Sequence, residues 1–478
     1  MRYLLTLSFI FMAFKAIAQS PNKPVDNNEP LVSSFVKAFN SKNIDTITEY
    51  VDSHFSNESL TRWEGSGRTR YIGYTMNMAL LHNTLKLQNT ERVLSDSRTR
   101  LASKVLSLNT GLEYSLVLNI DEHNKISGWY MRPTDLGEHS IDAVSESAIL
   151  TTLRQLTDDL AQRGVFSGTV LFAKNEEVLF AKAYGLASRR YDVKNNLDTK
   201  FQIGSMNKMF TSIAIMKLVE AKKLSLSDKL TRYVDRQYFG AGDFDKITLQ
   251  QLLTHTSGLG EIPGFAERQT TIRKLQETLP LYKNMKLNFA PGSQWQYSST
   301  GMRMLGHVIE AVSKQSYYDF VDQHVYTAAG MNNSGSFDID VPVKNTARNY
   351  WYSVETKNIT ENLMMQSVKG GPAGGGYSTV ADLHHFAVAL LNNTLLSPAL
   401  TGEATSAKPQ LKSPNYGYGF SVRGEQGNQI IGHNGSHLGM SAQLNIYRDK
   451  GYILAVLGNS PNAAEPIVFT MNKLMQAL

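Results

Sequence analysis

The chain has 478 residues, of which 42% are hydrophobic and 19% charged, so it is not an intrinsically disordered protein and has room for two or three domains. Its net charge of +6 is spread without a concentrated basic run, which argues against a nucleic-acid partner. It contains no cysteine, and this excludes disulfides, thiol nucleophiles, cysteine-based metal sites and a lipid anchor on cysteine.

Residues 1–18 read as a secretory signal peptide. Arg2 is followed by an apolar run from Leu4 to Phe14, and Ala16-Ile17-Ala18 precede Gln19. The run is too short to cross a bilayer, so cleavage after Ala18 leaves no integral membrane segment. Loss of Arg2 and Lys15 lowers the charge from +6 to +4. The expected location is a bacterial periplasm or the exterior.

A first module is expected over 19–136, beginning with a polar tether from Pro21 to Pro30. Apolar residues over Leu31–Phe39 have helical spacing, and strand-like runs follow over Leu112–Ile120 and Lys125–Met131. One helix followed by a curled antiparallel sheet resembles the nuclear-transport-factor-2-like cone fold. That resemblance implies an accessory α+β module able to hold a small ligand or a dimer partner. No catalytic group stands out in it.

A linker over 137–147 leads to the second domain, 148–478. A helix is expected over Ser145–Arg163, then a hairpin of Phe166–Lys174 and Glu177–Tyr184 around Asn175-Glu176. The stretch from about Met209 to Asn392 reads as mostly helical; Leu305, Val308, Ile309 and Val312 have core-facing spacing there. Strands return at Gln429–Gly432, Met440–Tyr447 and Tyr452–Gly458, and a closing helix starts near Ala464. The expected class is α/β (α+β): an antiparallel sheet built from both chain ends and flanked by helices, with an inserted all-helical lobe. A cleft is expected at their junction.

Ser205-Met206-Asn207-Lys208 falls at that junction, where a short strand gives way to an apolar helix. Residues three apart share a helix face, so Lys208 can reach Ser205. Enclosure by apolar neighbours disfavours a charged lysine. A neutral lysine can take the serine proton and make the hydroxyl a nucleophile. The tetrapeptide alone is weak, since Ser34-Phe35-Val36-Lys37 matches it by chance in an amphipathic helix. Further groups supply what acyl transfer needs. Tyr297, after the Pro291-Gly292 turn, can hold or shuttle the proton, with a phenol pKa lowered beside an ammonium. Gly435 permits close backbone approach, the Ser436 N–H can form an oxyanion hole with that of Ser205, and His433 offers a donor to the same cleft.

Ser205-x-x-Lys208, Tyr297-Ser298-Ser299 and His433-Asn434-Gly435 resemble the three boxes of class C β-lactamases and penicillin-binding proteins. Leu252–Leu259, Phe289–Gly292, Gly374–Leu383 and Tyr416–Phe420 are similar to the family's linking segments, and the resemblance runs from about Phe166 to Ser460. It implies catalysis by Ser205, Lys208, Tyr297 and His433, with Ser205, Ser299, Gly435 and Ser436 contacting the oxyanion or substrate. Two departures stand out. Ser299 replaces the asparagine of the usual Tyr-x-Asn box, and His433 replaces a lysine. The His-x-Gly form is similar to β-lactamase-related serine hydrolases, which include esterases and D-amino-acid peptidases.

Tyr282-Lys283-Asn284 and His437-Leu438-Gly439 also fit box patterns but lack the surrounding context. His255 reads as structural, bonding backbone in a tight Ser257-Gly258 turn, and His384-His385 as helix-surface residues. No cluster has metal-ligand spacing, and no cofactor is expected. The expected function is a secreted serine hydrolase forming an acyl-enzyme on an ester or amide, including D-amino-acid peptides. The alternatives are a D,D-peptidase or class C-like β-lactamase, or a catalytically silent binding protein of the same fold. The expected partner is a small-molecule or peptide substrate; oligomeric state is left open.

Overall fold

The structure, a computed structural model, describes residues 30–62, 65–95, 98–134, 143–425 and 427–478. The expected signal segment, most of the tether and residues 137–142 of the expected linker lie outside them. The described residues form two compact units. The first takes 30–166, Tyr350–Glu361 and Pro461–Leu478; the second takes Ser167–Asn349 and Asn362–Ser460.

The first unit begins with four helices, where the sequence suggested one: Pro30–Ser41, Ile44–His54, Asn57–Thr61 and Gly67–His82. Val32, Phe35, Val36 and Phe39 form the buried face of the first. Asn43 caps the second by accepting from the amides of Asp45 and Thr46. The fourth is buried over most of its length, so no polar face betrays its period in the sequence. Four strands then pair antiparallel in chain order: Leu85–Ser95, Arg98–Ser107, Glu113–Ile120 and Ile126–Pro133. The first two are rich in charged and polar residues and lack a clean apolar alternation. In the third, Tyr114, Leu116, Leu118 and Ile120 alternate onto one buried face.

Distant chain segments complete this unit. Asn77 binds the hairpin Tyr350–Glu361, accepting from the Tyr352 amide at 2.9 Å and donating to its carbonyl at 3.2 Å. Helix Glu146–Gln162, capped by Ser145, packs on the closing helix Glu465–Ala477. By connectivity the expected boundary at 148 falls at the start of the former helix. By packing, both helices group with the first module.

The second unit is organised by a six-stranded antiparallel sheet. Its order is Ser421–Arg423, Ile430–His437, Met440–Tyr447, Tyr452–Gly458, Gly168–Lys174, Glu177–Tyr184. Strands from both chain ends therefore lie side by side, as expected. Tyr452–Gly458 is buried at all seven positions, which suits its unbroken apolar run. Helix Val380–Leu391 packs on this strand and on Gly168–Lys174. Helix Asn207–Glu220 is buried over nearly its whole length within one continuous apolar core. The stretch expected to be mostly helical is more broken than its composition suggested. Its longer helices, Asn207–Glu220, Ser299–Ser313 and Val380–Leu391, are separated by turns and short helical segments, with glycines in the left-handed region at Gly264, Gly292 and Gly330.

Candidate active site

Ser205 stands in the turn between strand Phe201–Gly204 and helix Asn207–Glu220 and is half-buried. Lys208, one turn on, is fully buried, and its Nζ lies 3.1 Å from Ser205 Oγ. Burial holds the Lys208 ammonium well below its ordinary pKa; the positive charge of Arg303 lowers it further, and Glu261 opposes both. Neutral Lys208 can donate one N–H to the Ala373 carbonyl and present its lone pair to the Ser205 hydroxyl.

The glycine-rich loop holding Ala373 is fastened by the same helix. Asn207 donates to the Gly371 carbonyl at 3.1 Å and accepts from the Gly376 amide at 3.2 Å. Thr211 donates to the Pro372 carbonyl at 2.8 Å. The sequence marked Gly374–Gly376 only as part of a family-like linking segment. Its place beside the lysine went unseen because the contact is a backbone carbonyl, which leaves no mark in residue type.

Tyr297 comes from the loop before helix Ser299–Ser313. Its ring lies under Lys208 Nζ, 4.8 Å from nitrogen to centroid, and its hydroxyl hydrogen-bonds Ser205. Burial raises the phenol pKa, and this outweighs the bond to Ser205. The expected lowering is therefore corrected: desolvation of the buried phenol dominates over any help from the neighbouring lysine, whose own pKa is lowered by burial. Of the two, Lys208 is the one whose pKa is lowered and Tyr297 the one whose pKa is raised.

His433 lies on strand Ile430–His437, buried and neutral, its pKa pushed down to about 3, chiefly by burial and then by Lys208. Its Nδ1 donates to the Asn434 carbonyl, so Nε2 accepts from the Tyr416 hydroxyl at 2.9 Å. Both ring nitrogens are engaged, and the expected free donor into the cleft is not available. The Tyr297 ring lies 6.3 Å from His433 between centroids.

Gly435 brings the same strand against Phe201–Gly204: a methyl group there would stand 1.9 Å from the Ile203 carbonyl oxygen. A methyl group on Gly204, whose φ is +50°, would stand 3.1 Å from the Ser436 amide nitrogen. The Ser205 and Ser436 backbones thus converge, and their N–H groups can serve one oxyanion. Strand Ser421–Arg423 pairs only as far as Gly432, so among the described residues no strand pairs along that edge of His433–His437. Ser299 is half-buried at the helix start, while Ser298 caps the helix by accepting from the Gly301 amide at 3.0 Å.

Two groups matter more here than the sequence suggested. Tyr416 is the hydrogen-bond partner of His433; only its place in a family-like segment marked it. His255 bonds backbone, but not in its own turn. Its Nδ1 accepts from the Ser298 amide at 3.2 Å and its carbonyl accepts from the Gln296 amide at 2.9 Å. It thereby grips the chain on both sides of Tyr297, and its ring lies 4.5 Å from Tyr297 and 4.7 Å from Tyr416. Burial, Lys208 and His433 keep it neutral, and its buried Nε2 has no hydrogen-bond partner. His255 also holds a left-handed backbone, φ +61°, rarely adopted by a non-glycine residue.

The rejected matches fall elsewhere. Tyr282 bonds Thr278 and His307, and His437 approaches the Met365 carbonyl at 3.4 Å. His384, expected on the helix surface, is buried and bonds the Asn175 carbonyl at 2.8 Å. Among the described residues, no group of three or more His, Asp or Glu is placed to hold a metal ion.

Comparison with known proteins gives this arrangement a context. The family model "Beta-lactamase" matches residues 153–468. Penicillin-binding protein 4* of Bacillus subtilis (strain 168) is 27% identical over 333 residues, covering 66% of this chain and 72% of that protein. Esterase EstB of Burkholderia gladioli is 32% identical over 210 residues, 41% of this chain and 53% of the esterase. Among solved structures, a penicillin binding protein from Bacillus halodurans has a TM-score of 0.60 at 29% identity, covering 67% of this chain and 98% of its own. The D-amino acid amidase of Ochrobactrum anthropi SV3, at 19% identity and a TM-score of 0.58, covers 69% of this chain and 98% of its own and shares the fold. The chain belongs to the β-lactamase family and is a serine hydrolase.

Proposed function

We propose that the protein is an exported hydrolase that cleaves esters and D-amino-acid amides or peptides through an acyl-enzyme on Ser205. The observation that carries this reading is the buried Lys208, held below its ordinary pKa 3.1 Å from Ser205 Oγ. Lys208 takes the Ser205 proton as Oγ attacks the carbonyl carbon. The oxyanion rests on the amides of Ser205 and Ser436. The proton then passes through Tyr297 to the leaving oxygen or nitrogen. Water attacks the acyl carbon while Lys208 takes its proton through Tyr297; Lys208 returns that proton to Ser205 Oγ as the acyl bond breaks, and the acid departs. His433 with Tyr416, and His255, hold Tyr297 in place rather than exchanging protons with substrate.

Ser299 favours esters and simple amides over β-lactams. An asparagine amide pairs a donor and an acceptor with a substrate amide, and a hydroxyl cannot. Losing one such bond costs roughly 1 kcal/mol, several-fold in rate. Export rests on the apolar segment over Leu4–Phe14. Among the described residues, no helix is long and apolar enough to cross a membrane.

The test is a panel of activated esters, D-amino-acid amides and cephalosporins on purified protein, beside Ser205→Ala. Ester and D-amide turnover lost in Ser205→Ala, with cephalosporins cleaved feebly, supports the reading. Equal rates for wild type and Ser205→Ala would instead favour a catalytically silent binding protein. Efficient cephalosporin cleavage with esters ignored would make it a β-lactamase.

A further inference from the structure

Lys208 can take the Ser205 proton only when its lone pair points at Oγ. A neutral amine has one lone pair and two N–H groups, and it turns about its Cε–Nζ bond. The lone pair is therefore aimed by whatever receives an N–H. That acceptor is the Ala373 carbonyl, the partner of Nζ besides Ser205 Oγ. A backbone carbonyl is held only as firmly as its own loop, so the turn around Ala373 sets the aim.

Pro372 and Ala373 form the tip of that turn. Gly371 and Gly374 close its neck, each amide donating to the other's carbonyl, at 2.8 and 3.1 Å. Gly374 abuts the nucleophile: a methyl group on it would stand 3.1 Å from the Gly204 carbonyl and 3.4 Å from the Ser205 amide nitrogen. One side chain spans both limbs. Asn207 is fully buried; its Nδ2 donates to the Gly371 carbonyl at 3.1 Å and its Oδ1 accepts from the Gly376 amide at 3.2 Å. An asparagine amide carries a donor and an acceptor side by side, so it can tie a carbonyl on one limb to an amide on the other. Thr211, four residues on and on the same helix face, holds the Pro372 carbonyl as well.

The clasp fits closely at Gly376. A methyl group there would stand 2.7 Å from Asn207 Oδ1 and 2.8 Å from its Nδ2, and the three nearest atoms all belong to Asn207. Gly376 is outside the left-handed region, so its backbone conformation admits an alanine. What stands in an alanine's way is the Asn207 side chain.

We propose that Asn207 is a positioning residue for proton transfer: by clasping Gly371 and Gly376 it fixes the Ala373 carbonyl, which turns the lone pair of Lys208 toward Ser205. The inference rests on the acyl-enzyme reading with Lys208 as the base. Asn207 acts through the turn and not on the reacting atoms. Its loss slows the attack of Ser205 and spares the binding of substrate. Because Thr211 still holds one peptide of the turn, the loss is partial.

The test is a double-substitution cycle of Asn207→Ala and Gly376→Ala in the full chain, beside Ser205→Ala. Turnover of an activated ester gives kcat and KM, and the rate of Ser205 labelling by a fluorophosphonate reads nucleophile activation directly. Each single substitution should lower kcat and the labelling rate by about tenfold or more, with KM changed by less than about twofold, since a misplacement of about an ångström costs rates of this order. The two losses should not add. Once the Asn207 side chain is gone, the Gly376 methyl group displaces nothing, so the double variant should be no slower than Asn207→Ala. Asn207→Ser clears the same space and replaces Asn207→Ala if melting shows that variant to be unfolded. A wild-type rate in either single variant, additive losses in the double variant, or a KM that rises as kcat falls would each overturn the inference. Turnover and labelling that persist in Ser205→Ala would overturn the acyl-enzyme reading and this inference with it. Additive losses in a chain that Ser205→Ala silences overturn the inference alone.

Discussion

Both units leave some buried polar atoms unpaired, His255 Nε2 beside Tyr297 among them, but they differ in how their central buried groups are held. Around Ser205 the buried groups are held by partners from separate segments. Lys208 has Ser205 and the Ala373 carbonyl, and His433 has the Asn434 carbonyl and Tyr416. Inside the first unit, Trp129, His82 and Glu465 each leave an atom unpaired. A satisfied network is rigid and needs little reorganisation when charge develops, which suits transition-state stabilisation. The held groups around Ser205 suit a site built for chemistry, and that can be broken by substitution.

The largest effects belong to the satisfied network. Ser205→Ala and Lys208→Met should each lower kcat by roughly four orders of magnitude or more, because members of such a unit fail together. Ester turnover and labelling by a fluorophosphonate probe measure this. Near-normal acylation in Lys208→Met would remove the lysine from proton transfer.

Next comes His255. Its carbonyl and Nδ1 fix the amides on either side of Tyr297. Displacing a catalytic group by an ångström can cost about a hundredfold. His255→Ala should lower kcat by about that factor with KM little changed, and His255→Asn should recover part of the loss, since its side-chain oxygen can accept from an amide. A large KM effect with kcat intact would mean that His255 shapes substrate binding instead. Gly435→Ala should be milder in rate but visible in stability. Its methyl group would meet the Ile203 carbonyl oxygen at 1.9 Å, and overpacking of this kind costs typically about 1–3 kcal/mol. Urea denaturation and probe labelling should both register it.

Legibility in the sequence follows the same division. Ser205, Lys208, Tyr297 and Gly435 were readable because local spacing and box context carry them, and the sheet from both chain ends was readable from period-two and unbroken apolar runs. Tyr416 was given no role of its own and His255 was given a backbone bond in the wrong place, because what matters is where their side chains meet after folding. The Ala373 carbonyl has no residue-type signature at all. In the first unit, Gly67–His82 and Leu85–Ser107 escaped notice, one for lack of a polar face and the other for its charged and polar residues.

The smallest expected effect probes the charge balance on Lys208 without touching the reacting atoms. The lysine pKa is depressed first by burial, then by the positive charge of Arg303, and Glu261 acts in the opposite sense. The proposed mechanism uses neutral Lys208 as the base, so kcat/KM should rise with pH along an acidic limb set by that group in the free enzyme. Arg303→Met removes a charge that favours deprotonation. The Lys208 pKa then rises, the limb moves to higher pH, and activity lost at neutral pH returns in alkali. Glu261→Gln removes a charge that favours protonation, so its limb moves to lower pH, and less far than the Arg303 shift. Arg303 also packs over the Phe265 ring at 3.9 Å, so a packing defect has to be told apart from a charge effect. A packing defect lowers the plateau at every pH and leaves the limb in place. A charge effect moves the limb and spares the alkaline plateau. Limbs of the two variants that move in the same direction would show that Lys208 is not the group titrating in the profile.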